Sequence, residues 1–437
     1  MTEGTEPTGT DYQLRSFRAG RTGNRADAET TAWLRAAALG FHEPEPTPVH
    51  LCRTAEVYEA DRRVLTGAYV ARRPSRAWDS ALPVATYGTL VKALNVAGGR
   101  SLDAQLIATV TVRPTHRRRG LMREMISSDL RCARHDGQAV AILSSMEATI
   151  YGRFGFGAAT FSRQVEVDTG GGLGLRSTPQ GSVEVTDPAT LLDLAPTVFD
   201  RFHAQTLGSV QRPASYPSKV SGQWAADRPE PDTGVRSALN YDPAGDIDGY
   251  VPYKVLDWEI EPRTIRVIDI VWASPNAYLG LWDYLASIDL VTRVRFGHAS
   301  MADALPWAMG DRRGFKVVGE DDGLWLRVLD PVAALQARHY ETDGDLRIAL
   351  SDPLAIADGI YAISVRDGRA TVTPTTTTGA DADVSMDVSA LGSLYLGGVR
   401  ARVLARSGQI ASRSATALDT LDALLAHGEP PYCITHF

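Results

Sequence analysis

The sequence reads as an α+β protein of several domains, and three observations carry that reading. A strand–turn–helix–strand unit spans residues 106–168, a unit of similar layout spans 264–296, and from Gly323 onward short strands alternate with helices. The length of 437 residues fits about three domains on a prior of roughly 150 residues each. Hydrophobic residues at 44% and charged residues at 22% describe a chain that buries a core, which excludes a disordered or low-complexity protein. A formal charge of −7 argues against a dedicated nucleic-acid binder, so an anionic ligand needs a local basic patch.

Residues 1–10 read as a loose tail. Tyr12–Phe17 alternates as a short strand, and a helix carrying Trp33, Leu34 and Leu39 starts near Asp27. Leu106–Val112 is extended and β-branched, and Pro114 stops it. Leu121, Met122, Met125, Ile126, Leu130 and Ala133 recur at helical spacing until Gly137. Ala139–Ser145 and Ala158–Val167 read as the next strands. Gly170-Gly171-Gly172-Leu173-Gly174 lacks the third glycine of a dinucleotide fingerprint and reads as a linker. In the middle third, Thr264–Trp272 reads as one strand. Ser274-Pro275 opens a helix over Ala277–Ile288, and Val291–Phe296 follows as a strand. The last third reads as strand Leu324–Leu329, helix Pro331–Tyr340 and strands near Leu346–Leu350, Gly359–Val365 and Arg369–Thr373. A threonine-rich loop at 374–378 and a helix over 414–426 complete it. The expected domains are 1–168, 169–321 and 322–437.

Three cysteines without a CxxC pair argue against a disulfide framework and a structural zinc site, and no HExxH or HxxxH spacing suggests a metal. The polar start has no signal-peptide core, and no apolar run approaches the ~20 residues that span a bilayer. A cytoplasmic protein without metal, nucleic-acid or membrane partners is expected.

The chemistry concentrates in Val110-Thr111-Val112-Arg113-Pro114-Thr115-His116-Arg117-Arg118-Arg119-Gly120-Leu121-Met122-Arg123. A strand leads into a turn whose free N–H groups open a helix, an arrangement that favours anions. Seven arginines stand against two acids between residues 113 and 134, which points to a small polyphosphate ligand; the bland alternative is a solvated helix face. The P-loop pattern is absent, so triphosphate hydrolysis is disfavoured. One strand later comes Ile150-Tyr151-Gly152-Arg153-Phe154-Gly155-Phe156-Gly157, whose tyrosine could equally be a half-buried aromatic beside a glycine turn. Together the two motifs lie at the C-terminal ends of neighbouring strands, where open α/β sheets bind ligands. The chain closes on Pro430-Pro431-Tyr432-Cys433-Ile434-Thr435-His436-Phe437, apolar to its last residue although termini are ordinarily polar and frayed. Either this tail packs on its own domain or the terminus itself occupies a site.

The arginine–glycine turn resembles the pyrophosphate loop of the GCN5-related N-acetyltransferases, [QR]xxGx[GA], with Met122 departing from its last small residue. Tyr151 with Gly155-Phe156 resembles that superfamily's Tyr-x-x-x-Gly-Phe element. HRRRGL, IYGRFGFG, DGLWLRVLD (322–330), GSLYLGG (392–398) and the terminal phenylalanine together resemble the Eis (enhanced intracellular survival) acetyltransferases. Residues 1–100 match that pattern poorly. The resemblance implies tandem GCN5-related N-acetyltransferase folds, the second degenerate, followed by a sterol-carrier-protein-like domain.

It further implies an acetyl-CoA-dependent N-acetyltransferase of aminoglycosides or other multi-amine substrates, assembled as a homohexamer. Val110, Thr111 and Val112 would pair with the pantetheine arm. Backbone amides of Arg118, Arg119, Gly120, Leu121, Met122 and Arg123 would cradle the pyrophosphate, and Met146 and Glu147 would lie near the sulfur. Tyr151 would be the general acid and the α-carboxylate of Phe437 the general base. Asp303 matches a pocket acid, Ser144 stands where the family can place a histidine, and Thr109 where it can place an aromatic. His436 stands where polycation-accepting members tend to carry an acid, so substrate range could differ; it is as readily a tail-anchoring residue as a substrate contact. The alternatives are a longer-chain acyl-CoA acyltransferase and a non-catalytic lipid carrier or scaffold.

Overall fold

The computed structural model describes residues 12–145, 147–224, 231–256, 259–376 and 381–437. The candidate Met146, the expected tail 1–10 and part of the threonine-rich loop lie outside the described residues. The chain forms two compact units: residues 1–92, 103–144 and Phe437 make the first, and 93–102 with 145–436 the second.

In the first unit, β1 (Tyr12–Arg18) is followed by α1 (Ala28–Gly40) and α2 (Pro48–Ala60). Then come β2 (Val64–Val70), β3 (Ala85–Asn95), β4 (Ser101–Val112), α3 (Leu121–His135) and β5 (Val140–Ser144). The strands lie in the order β1-β2-β3-β4-β5. The first pair is antiparallel, and the β4–α3–β5 crossover is parallel. Asp27 starts α1 by accepting from the Thr30 N–H, and Trp33, Leu34 and Ala37 pack it over Leu65. Pro48 at the first turn of α2 suits a helix start, because its missing N–H would have had no partner there. α3 buries Leu121, Met125, Ile126, Leu130 and Ala133 along one face.

The second unit begins with α4 (Ala148–Tyr151), β6 (Gly157–Ala158), β7 (Phe161–Asp168) and β8 (Ser182–Thr186). α5 (Leu191–Gln205), α6 (Tyr216–Val220), β9 (Val235–Tyr241), β10 (Ile247–Val255), β11 (Thr264–Val267) and β12 (Val271–Trp272) follow. The chain continues with α7 (Pro275–Ser287), β13 (Arg293–Ser300), α8 (Leu305–Ala308), β14 (Phe315–Asp322) and β15 (Leu324–Val328). One sheet runs β14-β7-β13-β11-β10-β9-β8, with β12 on β10, while β15 pairs antiparallel with β6. β11 and β13 are parallel and flank the α7 crossover, the same plan as β4–α3–β5.

The last part comprises α9 (Pro331–Ala337), β16 (Gly344–Ser351), β17 (Gly359–Arg366), β18 (Arg369–Thr375), β19 (Val384–Asp387), α10 (Val388–Leu394), α11 (Ala401–Arg406), β20 (Ile410–Ser412) and α12 (Ala415–Leu425). Its sheet runs β18-β17-β16-β19-β20.

Four expectations change. The strand expected over Thr264–Trp272 is two strands, because residues 268–270 leave the ladder between β11 and β12. The strand expected over Ala158–Val167 likewise divides at Ala159-Thr160, where backbone N–H groups donate to Leu324 instead. The glycine-rich linker is a packed loop: Leu173 is buried in the core shared by β7 and β13, and its carbonyl accepts from the Gly310 N–H. The helix expected to reach Tyr340 ends at Ala337, because Arg338 is extended and its buried guanidinium donates to the Tyr395 and Leu425 carbonyls.

Candidate active site

The first unit supplies a backbone made for a phosphorylated ligand. The β4–β5 ladder runs from Ala104 opposite Val140 to Ile107 opposite Leu143, whereas β4 continues to Val112. Thr109 follows the last paired residues with φ +54°, an outlier for a β-branched side chain. β5 itself ends at Ser144, so the edge of Val110, Thr111 and Val112 lies beyond the paired residues of that ladder. Thr86 braces the distortion through its hydroxyl, 3.0 Å from the Thr109 carbonyl and 2.7 Å from the Thr111 hydroxyl. Gly40 closes the other side: a Cβ there would lie 2.4 Å from Thr111 Oγ1, so the end of α1 needs glycine to pass.

Beyond Val112 the chain turns through Arg118 (φ +62°) and Gly120 (φ +79°) into α3. Left-handed residues in such a turn can aim neighbouring N–H groups toward one concavity. Gly120 caps α3 with no side chain to accept its first N–H groups, which leaves them for an anion. The arginines divide in role. Arg113 reaches the Pro83 carbonyl, Arg117 the Val112 carbonyl and Arg119 the Tyr12 hydroxyl, which shapes the turn. Arg118 and Arg123 are exposed beside it. Leu121 is buried and Met122 half-buried, so both contribute backbone rather than side chain to the concavity.

The equivalent turn of the second unit is closed. Ser274 accepts from the Ala277 N–H at the start of α7 and donates to Asp248, while Pro275 has no N–H to offer. A carboxylate already stands at that helix start, so the second crossover has no comparable vacancy for an anion.

Ser144 ends β5 in the first unit and is exposed. In the second unit, Glu147 is exposed and takes a backbone bond from its N–H to the Ser145 hydroxyl. Tyr151 is half-buried with its ring edge-on to Phe156 at 6.2 Å; burial, aided by Glu147, raises its pKa and keeps the phenol protonated. Gly155 (φ +80°) packs so tightly that a Cβ would fall 1.9 Å from Arg327 Nη1. Arg327, fully buried, donates to the Phe154 carbonyl and to Asp352, so one cation fixes the turn that carries Tyr151.

The tail is inserted rather than frayed. Tyr432, Cys433, Ile434 and Thr435 are buried, and Tyr432 and Ile434 join the core of α5 and β10. The His436 ring rests on His298 at 4.4 Å while keeping an edge to solvent. The surrounding protein, with His298, Arg212 and Lys219, lowers its pKa, so it is neutral at pH 7. Phe437, half-buried, falls in the first unit. Asp303 lines a cleft of about 580 Å³ with Trp272, Tyr278 and Tyr432, and accepts from the Tyr278 hydroxyl and the Leu305 N–H.

Two parallel crossovers, one opening on an anion turn, precede a five-stranded sheet. Sequence profiles match this order: an acetyltransferase (GNAT) domain at residues 24–159, another at 208–348 and a sterol carrier protein domain at 331–434. The protein is thus a tandem GCN5-related N-acetyltransferase with a sterol-carrier-like domain. An uncharacterized N-acetyltransferase of Streptomyces avermitilis is 34% identical over 416 residues, 93% of this chain and 96% of the relative. N-acetyltransferase Eis of Mycobacterium tuberculosis (strain ATCC 25177 / H37Ra) is 32% identical over 376 residues, 83% of this chain and 88% of Eis. The crystal structure of Eis1 from Mycobacterium abscessus superposes with a TM-score of 0.80 at 28% identity, covering 97% of this chain and all of that one. The chain belongs to the Eis family of N-acetyltransferases.

Among the described residues no group of three or more His, Cys, Asp or Glu could hold a metal, and no helix is long and apolar enough to cross a membrane.

Proposed function

We propose that the protein transfers the acetyl group of acetyl-CoA to one or more amines of an aminoglycoside or another multi-amine substrate. The observation that carries this reading is the stretch of β4 that runs beyond its pairing with β5, through Thr109 to Val112, into the uncapped turn at Gly120. The edge at Val110, Thr111 and Val112 suits an amide-bearing arm. The amides from Arg118 to Arg123 suit its diphosphate. Acetyl-CoA supplies an acetyl thioester as the group transferred.

The residues divide the proton work. An amine is mostly ammonium at neutral pH and attacks only after losing a proton, which the Phe437 carboxylate takes. The nitrogen then bonds to the thioester carbon, and the C–S bond breaks as the adduct collapses. The sulfur leaves with a proton from Tyr151, whose raised pKa keeps that proton in place until sulfur carries charge. Glu147, Ser144, Thr109, His436 and Asp303 are the residues we assign to the surroundings of the thioester and the acceptor. A hexameric assembly and a cytoplasmic location belong to the same proposal and rest on family resemblance.

The open anion turn and the protonated Tyr151 favour catalysis over the lipid-carrier reading. Among the described residues, one apolar void of the last domain, lined by Leu335, Leu346, Ile348, Leu391 and Leu424, is about 10 Å³, space for about one water. The test is thiol release by N-tagged enzyme with acetyl-CoA and an aminoglycoside or a simple polyamine. Release above one equivalent per aminoglycoside supports multi-site acetylation. Release only with longer-chain acyl-CoA replaces the proposal with an acyltransferase.

A further inference from the structure

The tail that carries the terminal carboxylate is held by a buried polar network. Arg212 is buried and bonds Asp269 at 2.8 Å and the Tyr250 hydroxyl, and Tyr250 in turn donates to Asp269 at 3.1 Å. Its guanidinium is sandwiched between the rings of Phe199 and Tyr216, 4.0 and 4.3 Å from their centroids. Asp269 is available to this network because residues 268–270 interrupt the strand between β11 and β12.

Tyr216 bonds the tail backbone on both sides of one residue. Its hydroxyl donates to the Ile434 carbonyl at 3.2 Å and accepts from the His436 N–H at 2.6 Å. Between these two bonds, the Thr435 hydroxyl donates to the Val210 carbonyl at 2.7 Å. Further back, the Tyr432 N–H donates to the Leu207 carbonyl at 2.8 Å. The segment 207–216 therefore holds the tail at four points, the last of them one residue before Phe437. Burial keeps the Tyr216 phenol protonated, as its donor role requires.

We propose that Tyr216, set in place by the Arg212–Asp269 pair, is the positioning residue for the chain terminus: by clamping the backbone across Thr435 it presents the Phe437 carboxylate in one orientation. The proposal rests on the reading of that carboxylate as the base. A flexible terminus would sample many directions, and a base effective in only one of them loses rate in proportion. Tyr216 does not touch the reacting atoms.

The experiment uses the N-tagged full chain with Cys52 and Cys132 replaced by serine, which leaves Cys433, a buried thiol with pKa pushed up to about 11, as reporter of tail docking. Alkylation of Cys433 is timed in this parent, in Tyr216→Phe and in Thr435→Val; it needs no acceptor. We expect labelling to rise about tenfold in Thr435→Val, which loses one buried hydrogen bond, and more in Tyr216→Phe, which loses two, with kcat falling by similar factors and acetyl-CoA KM unchanged. Unchanged labelling in both variants overturns the clamp. Faster labelling with unchanged kcat, while deletion of Phe437 abolishes turnover, overturns the positioning role. Full activity of the Phe437 deletion removes the carboxylate from the mechanism and the proposal with it.

Discussion

Tyr151 is surrounded by apolar protein and the Glu147 charge, and no cation among its named neighbours favours the phenolate. Protonation is the active form of a general acid, and a raised pKa preserves that form to higher pH. The rate should therefore show no alkaline fall below about pH 10 that Tyr151→Phe removes. The same variant should lower kcat by about 10² with little change in acetyl-CoA affinity by calorimetry; a large loss of affinity would make Tyr151 a packing residue. Asp129 on α3 behaves oppositely to an exposed acid. Burial raises its pKa to about 6 although it accepts from Tyr87 and Gln105. Between its unfolded value near 4 and about 6, the native state holds the extra proton, so stability falls as pH rises through that window. Asp129→Asn should flatten the profile, measured by denaturant unfolding at pH 4, 5, 6 and 7. The difference is on the order of 2–3 kcal/mol.

At the scale of elements, two crossovers of one plan differ at their helix starts. The turn into α3 keeps its N–H groups open through Gly120, whereas Ser274 and Asp248 fill the start of α7. Gly120→Ala meets no neighbour within 4 Å, so its only local cost is backbone strain at φ +79°, about 1 kcal/mol. We expect acetyl-CoA affinity to drop severalfold by calorimetry while the melting temperature moves by only a few degrees. The arginine–glycine motif, the α3 periodicity and the strand before it were legible because each is local. The left-handed Thr109 was not, since nothing in Ile107-Ala108-Thr109-Val110 marks that conformation. α2, α5 and β14 also escaped notice. α2 buries only Ala55 and β14 is largely exposed, so neither shows a readable apolar face; α5 does carry one, Leu191, Ala195, Val198, Phe199 and Phe202, and was legible in principle.

Across the molecule, Arg327 ties three distant stretches together. It reaches Phe154 beside the Tyr151 turn and Asp352 after β16, and Asp352 also accepts from the Leu354, Ile356 and Ala357 N–H groups. Asp352→Ala should destabilise the protein by about 3–5 kcal/mol in denaturant unfolding, because it leaves a buried guanidinium without its carboxylate. A loss under 1 kcal/mol would show that the site relaxes to admit water. The terminus gives a second prediction at this scale. A tag appended after Phe437 should abolish turnover while an N-terminal tag leaves it, and equal rates for both would take the carboxylate out of the reaction.

The sequence by itself determined the class: the α+β plan, the anion turn, the tyrosine–glycine element and the Eis resemblance all rest on contiguous residues whose spacing is set by strand and helix geometry. Even the buried tail was foreshadowed by its apolar composition. Tertiary structure decided what holds that tail and the conformation of Thr109. Arg212, Tyr216, Tyr250 and Asp269 are dispersed along the chain and become one network only when a strand breaks at residue 268. A buried polar cluster has no period to read, because its members are chosen by distance in space and by the need to satisfy each other's hydrogen bonds.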